Sequence, residues 1–315
     1  MTAALDQQAA AGGLAIESIG ALAVAVADPS AARDFYCRIL GGVASGSDVL
    51  PECRSHELIR FPAGQMLALA RAGNRPDLSE TGVHQAYRAT AGAAEAIAGR
   101  LQSGGIQIRR YREDREAEQG DRLYFFDPDG NRVQIVIRDA AVDGEGIYGI
   151  DHAAVQVPDM LWAGHFYGTV LGLEAESRFG LRTADHALAR VWAAGEDDMA
   201  PGTRRLDKLY MTMGGQNEVP RTNMQVYYTV GEGVIGVYLA TAHFQEPPED
   251  QLAGVPRMIL QAPRAALDIA AARLETEGRP YLGPVPHPAS APFSASLYFK
   301  DTGGNFFEIC SPGGS

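Results

Sequence analysis

The 315-residue chain reads as an α+β protein built from four βαβββ modules, two in each half. Three observations predict this. A strand–turn–helix–glycine unit occurs twice, in Ile16–Gly41 and again in Gly149–Gly172. Phe35-Tyr36 falls on Phe166-Tyr167, and Leu40-Gly41 falls on Leu171-Gly172, both at a shift of 131 residues. A second cycle follows each copy: Arg100-Leu101 falls on Arg273-Leu274 at a shift of 173, and Tyr124 falls on Tyr298 at a shift of 174.

Taken in order, the first cycle continues after Gly41 with strands near Val43–Ser47, Glu57–Phe61 and Gln65–Ala70. The last two are joined by the turn Pro62-Ala63-Gly64. The second cycle begins at Val83. Its helix, Gly92–Gln102, is stopped by Gly104-Gly105, and its strands lie near Ile106–Arg110, Leu123–Phe126 and Arg132–Ile137. Asp127-Pro128-Asp129-Gly130 is a turn between the last two. Gly144–Gly149 is the expected linker between two domains, 15–142 and 148–312.

The second half opens on a strand, Ile150–Val157, a Pro158-Asp159 turn and an amphipathic helix, Leu161–Leu171, closed by Gly172. Trp162, Phe166 and Tyr167 are expected to anchor it in the core. A hairpin follows: Met224–Val230, Gly231-Glu232-Gly233, Val234–Ala242. The later helix is Pro263–Thr276. Because the shift grows from 131 to 173, this half carries 42 more residues, mostly within 180–221. A lid, an oligomer contact and a tolerated surface loop are all open readings of that insertion.

With 46% hydrophobic residues the chain can bury substantial cores. A net charge of −12 argues against nucleic acid or an anionic membrane surface as a partner. No run approaches the ~20 apolar residues of a membrane span. Three widely spaced cysteines and a start without a basic, apolar leader suit a reducing cytoplasm. The expected partners are a small-molecule substrate and further copies of the chain.

The double βαβββ repeat, with FY…LG after the first strand and DxxGN before the last, resembles the vicinal oxygen chelate superfamily over about residues 15–312. That family holds glyoxalase I, type I extradiol dioxygenases and bleomycin-resistance proteins. Two domains in one chain look most like the extradiol enzymes, in which the C-terminal domain alone carries iron. The resemblance implies that each pair of modules rolls into a cup. It also implies metal ligands on the first, fifth and eighth strands, with one from the fourth in glyoxalases.

Carried over by position, the resemblance puts His152 and Glu308 at metal-ligand positions and Arg257 where a second histidine is usual. An arginine offers no lone pair to a metal, so the implied Fe(II) or Mn(II) is left two of three ligands. Arg257 is then a candidate to clamp a substrate oxyanion, or to pair with Glu308 in place of a metal. His243 is a candidate replacement ligand or acid/base group. Tyr238 lies at roughly the fourth-strand position, as a substrate-binding residue. Val285-Pro286-His287, Leu297-Tyr298, Asp301, Gly304 and Glu308 are similar to the extradiol signature, which makes His287 and Tyr298 candidates for proton handling. In the first half the corresponding residues are Ala21, His84 and Gln134, so 15–142 is expected to be structural. His84, His56, His165 and His186 are expected to be structural or exposed.

The function implied is an extradiol-like or glyoxalase-like metalloenzyme for an aromatic (catecholic) or vicinal-oxygen compound. Two alternatives stand beside it: a metal-free binding protein of the resistance type, and a metal-independent enzyme that uses Arg257.

Overall fold

The computed structural model describes residues 13–49, 55–73, 82–112, 115–116, 120–139, 144–179, 225–240 and 250–313. The insertion at 180–221 lies outside the described residues, as do His186 and His243.

The four modules stand where the repeat puts them. The first has β1 (Ser18–Val26), α1 (Pro29–Leu40), β2 (Val43–Val49), β3 (Ser55–Arg60) and β4 (Met66–Arg71). The second has β5 (His84–Ala89), α2 (Ala91–Ser103), β6 (Arg109–Arg112), the short β7 (Arg115–Glu116), β8 (Arg122–Phe126) and β9 (Arg132–Ile137). The third has β10 (Gly149–Val157), α3 (Met160–His165), β11 (Glu174–Phe179), β12 (Gln225–Val230) and β13 (Gly233–Leu239). The fourth has β14 (Arg257–Gln261), α4 (Arg264–Thr276), β15 (Tyr281–Pro286), β16 (Phe293–Lys300) and β17 (Phe306–Pro312).

Helix α1 illustrates why these segments fold as they do. Asp28 caps it, its carboxylate accepting from the backbone N–H groups of Ser30 and Ala31, and Pro29 takes the first turn. Ala32, Phe35, Tyr36, Ile39 and Leu40 form the buried stripe, and Gly41 ends the helix at φ 78°, a conformation that favours glycine. Its counterpart in the third module starts the same way on Asp159, but its last turn, Phe166–Val170, is a π-helix. Phe166 and Tyr167 are buried as expected, whereas Trp162 is 63% exposed under the Arg279 guanidinium, 5.0 Å from its ring.

Module pairing departs from the expectation that 15–142 and 148–312 each close a cup. An eight-stranded sheet runs β15-β16-β17-β14-β1-β4-β3-β2, and a nine-stranded sheet runs β11-β12-β13-β10-β5-β9-β8-β6-β7. The first module therefore shares a sheet with the fourth, through the antiparallel pair β1–β14. The second shares one with the third, through β5–β10. The linker supports this closure, since Tyr148 N–H donates to Arg88 O and Gly149 pairs with Arg88.

What joins modules within each half is a helix-to-turn lock. Tyr36 donates to Asp127 at 2.7 Å, and its repeat equivalent Tyr167 donates to Asp301 at 2.6 Å. Asn131 and Asn305, four residues past each aspartate, donate to Ala25 O and Gln156 O. Arg100 donates to Ile39 O at the end of α1, and Arg273 donates to Val170 O at the corresponding place. The FY and DxxGN motifs are thus two ends of one contact. Burial pushes the Asp127 and Asp301 carboxyls above the ordinary value, and burial raises both tyrosines well above theirs. The helices and one face of both sheets share one continuous apolar core. The other faces are the concave surfaces of the two cups.

Candidate active site

The nine-stranded cup is built on period-two alternation. On β10, Ala153, Val155 and Val157 join the apolar core, so His152, Ala154 and Gln156 face the concave side. On β5, Tyr87 and Ala89 go to the core, so His84, Ala86 and Arg88 face the cup. Because β5 and β10 run antiparallel, with His152 opposite Ala86 and Ala154 opposite His84, the two histidines are diagonal neighbours. Their Nε2 atoms lie 3.0 Å apart.

The other ring nitrogens fix what those Nε2 atoms can be. His84 Nδ1 lies 2.7 Å from Gly82 O, and a carbonyl oxygen only accepts, so Nδ1 carries the proton. His152 Nδ1 lies 2.6 Å from Asp151 Oδ1. Burial pushes the Asp151 carboxyl up, but the His152 hydrogen bond and the His152 and Arg138 charges outweigh it and hold the group down at about 2. Near neutral pH Asp151 is therefore a carboxylate that accepts from Nδ1–H. With each Nδ1 committed to an oxygen acceptor, both Nε2 atoms are aimed at the same point. Two lone pairs at 3.0 Å repel unless a proton or a cation stands between them.

More polar groups surround that point. Gln134 on β9 pairs with Ala86 and faces the same side. It is 1% exposed, and its Oε1 has no hydrogen-bond partner among the described residues. Beyond it Tyr124 reaches over to His84, ring centroids 5.9 Å apart, and Tyr111 packs edge-on against Tyr124. On the opposite flank, the position equivalent to Gln134 is Gly236, which pairs with Ala154. A Cβ there would lie 3.0 Å from Tyr238 Cε2 and 3.3 Å from its hydroxyl. The glycine leaves room for the Tyr238 ring to sweep back across it, so Tyr238, two residues on, delivers its hydroxyl to the vacant position. That hydroxyl is 2.8 Å from the Tyr227 hydroxyl, which donates to Gln225 at 3.1 Å.

The eight-stranded cup holds most of the other sequence-predicted residues. Arg257 Nε lies 2.9 Å from Glu308 Oε2, both side chains 1% exposed. Ser296 donates to Glu308 Oε1 at 2.5 Å, and His287 Nε2 is 2.7 Å from the Ser296 hydroxyl. The Arg257 guanidinium lies 5.2 Å from the Tyr298 ring centroid. The walls are small or apolar: Ala21, Ala23, Ala25, Leu58, Met66, Ala68 and Ile259. His56, expected to be structural or exposed, is buried here.

The expected metal pair is thereby separated: His152 and Glu308 stand in different sheets with different partners. The register places Arg257 beside Glu308, and the guanidinium is neutralised there rather than open to a substrate. His84, read from sequence as structural, is the residue that meets His152. Gln134, Tyr124, Tyr227 and Gln156 were not singled out as site residues. The signal for His84 and Gln134 was in the repeat itself, which aligns them with Arg257 and Glu308. His165 is half-exposed and pairs with Glu277 at 3.1 Å.

Residues 18–135 match the family model described as the Glyoxalase/Bleomycin resistance protein/Dioxygenase superfamily. Over those residues the chain is similar to the vicinal oxygen chelate proteins that this model describes. Solved structures carry that fold across the remainder. A "putative dioxygenase" from Bacillus subtilis is similar over 95% of this chain and 86% of its own, at 16% identity and a TM-score of 0.63. Glyoxalase I from Zea mays is similar over 94% of this chain and 92% of its own, at 14% identity and a TM-score of 0.57. No curated protein matches the sequence.

The four register positions that the family resemblance marks for ligands differ between the two cups. The eight-stranded cup offers Ala21, Ala68, Arg257 and Glu308. The nine-stranded cup offers His84, His152, Gln134 and Gly236. Among the described residues no three of His, Cys, Asp and Glu stand together, and the second cup presents two imidazoles and a neutral amide oxygen at these positions. The converging Nε2 lone pairs and the unpartnered Gln134 Oε1 fit a divalent ion. No helix among the described residues is long and apolar enough to cross a membrane.

Proposed function

We propose that the nine-stranded cup is the active site of a metal-dependent enzyme acting on a small molecule with two adjacent oxygens, an aromatic (catecholic) diol in the first instance. The observation that carries this is the 3.0 Å approach of His84 Nε2 to His152 Nε2, with each Nδ1 committed to an oxygen acceptor.

His84 and His152 would hold the ion through Nε2, and Gln134 Oε1 would be the third donor. Nitrogen with neutral oxygen suits Fe(II) or Mn(II). Such an ion, once bound, supplies Lewis-acid stabilisation of a deprotonated diol or enediolate. With no carboxylate among its donors, the site favours an anionic chelating substrate that balances the ion's charge.

The chain's own groups do the rest. Asp151 holds the His152 ring in register and fixes its tautomer. The Tyr238 oxygen can accept a hydrogen bond from a substrate hydroxyl, and the line through Tyr227 to Gln225 disperses the resulting polarisation. Tyr111, Tyr124, Tyr227 and Tyr238 line the cup with aromatic surface, which favours a ring-bearing substrate.

The similarity in fold to a "putative dioxygenase" and to a glyoxalase I leaves two chemistries to separate. Protein loaded anaerobically with Fe(II) or Mn(II) is assayed for O2 uptake across a panel of catechols, and in parallel for isomerisation of a hemithioacetal. O2 uptake that disappears in His84→Ala and in His152→Ala is the expected result. Hemithioacetal turnover alone would move the assignment to the glyoxalase branch, and a chain that binds neither metal nor catechol would end it.

A further inference from the structure

The concave face of β10 carries one polar side chain that the metal site does not use. Gln156 is fully buried, at 0% exposure, and neither its amide nitrogen nor its amide oxygen has a hydrogen-bond partner among the described residues. It follows His152 and Ala154 in the alternation of the strand, so it faces the same cup. A buried carboxamide brings two donors and an acceptor, and such groups are normally satisfied by protein, water or ligand.

Its register partners among the described residues are uncharged. The register sets Gln156 opposite Tyr238, and Tyr238 opposite Gln225. With Tyr227, these residues make a bank of two amides and two phenols on one flank of the cup. Those four side chains carry no charge, and a carboxylate buried against them would lose its hydration without a partner among them. The fold does not require an amide here: the same repeat position holds Ala25, Arg88 and Gln261 in the other three modules. The Tyr238 ring crosses Gly236 on the neighbouring strand, so it flanks the span from Gln156 to the histidines. Four residues of strand separate Gln156 from His152, roughly 13 Å, a gap that two side chains and one substituted ring fill.

We propose that Gln156 is a specificity-determining residue that reads a neutral hydrogen-bonding substituent on the substrate ring, a carbonyl or hydroxyl held at the end opposite the chelated oxygens. This rests on the reading of the nine-stranded cup as a metal-dependent diol site. The substrate class becomes a neutral, carbonyl- or hydroxyl-substituted catechol, in preference to an alkyl or a carboxylate derivative.

The test uses Mn(II)-loaded full-length protein titrated with 3,4-dihydroxybenzaldehyde, 4-methylcatechol and 3,4-dihydroxybenzoate. The aldehyde should bind about five- to tenfold tighter than the methyl compound, the worth of one buried hydrogen bond. That ratio should fall to about one in Gln156→Met, which keeps the side chain's volume, with Mn(II) stoichiometry unchanged. Gln156→Asn, which shortens the arm and keeps the amide, should give the same loss. A preference that persists in both variants, or that is missing from the unmodified protein, overturns the assignment of Gln156 alone. Mn(II) uptake with no catechol bound by any variant overturns the diol reading and this assignment with it.

Discussion

His84 Nε2 and His152 Nε2 lie 3.0 Å apart although they are 68 residues apart in sequence and belong to different modules. Each ring is oriented by a hydrogen bond at Nδ1, one to a backbone carbonyl and one to a carboxylate. The pair exists because β5 and β10 are neighbours, and that adjacency follows from how the four modules pair.

Gln134 occupies the place that a carboxylate takes in the fourth module, where Glu308 stands. Gln134→Glu should convert two histidines and an amide into two histidines and a carboxylate. Divalent metal affinity should rise about tenfold or more, since an anionic oxygen replaces a neutral one. Chelator competition measures it, and an unchanged affinity would remove Gln134 from the coordination.

Asp151 gives the site a pH signature. Its carboxyl titrates near 2 rather than at the ordinary 3.8, so its folded-state pKa is depressed. Its contribution is present above pH ~4 and is lost as the pH falls toward 2, amounting to about 2 kcal/mol. Urea titrations between pH 5 and 2 should show a steeper loss of stability in the unmodified protein than in Asp151→Asn.

Arg257 and Glu308 are predicted to matter for folding and not for metal uptake. Removing the guanidinium in Arg257→Leu leaves Glu308 buried beside an apolar side chain, at a cost of about 3–5 kcal/mol. The double variant Arg257→Leu/Glu308→Gln should recover most of that loss. Metal stoichiometry in the double variant should equal that of the unmodified chain; a fall would bring the eight-stranded cup back into the site.

The tyrosine locks should behave as a matched pair. Tyr36→Phe and Tyr167→Phe each strip a donor from a buried aspartate, which costs roughly 1–3 kcal/mol. Urea midpoints read the effect. A much larger loss for one of them would show that the two halves are not held together equivalently.

The sequence made the modules legible because each carries local punctuation: the capping Asp28 and Asp159, the stops at Gly41 and Gly172, and the Asp127 and Asp301 turns. Those signals act within a few residues of where they are written. Which module pairs with which is decided by strand edges, and β1, β5, β10 and β14 each open a module and are largely buried, so none is marked by its sequence for one partner. Local pattern does not distinguish β1–β14 from β1–β5. His84 was accordingly read as structural, since its importance depends on a partner that only the sheet order supplies. The same gap joined His152 to Glu308, which are correct positions in the repeat that belong to different cups. Tyr238 shows a subtler case: its role depends on Gly236, whose missing side chain admits the ring.

The central claim is that the metal belongs to the two-histidine cup. Elemental analysis of protein purified without chelator and re-equilibrated with Mn(II) tests it most directly, comparing His84→Ala, His152→Ala and Glu308→Gln. About one ion per chain in the unmodified protein and in Glu308→Gln, with near-complete loss in both histidine variants, is the result expected. Retention in the histidine variants, or loss confined to Glu308→Gln, would contradict the account.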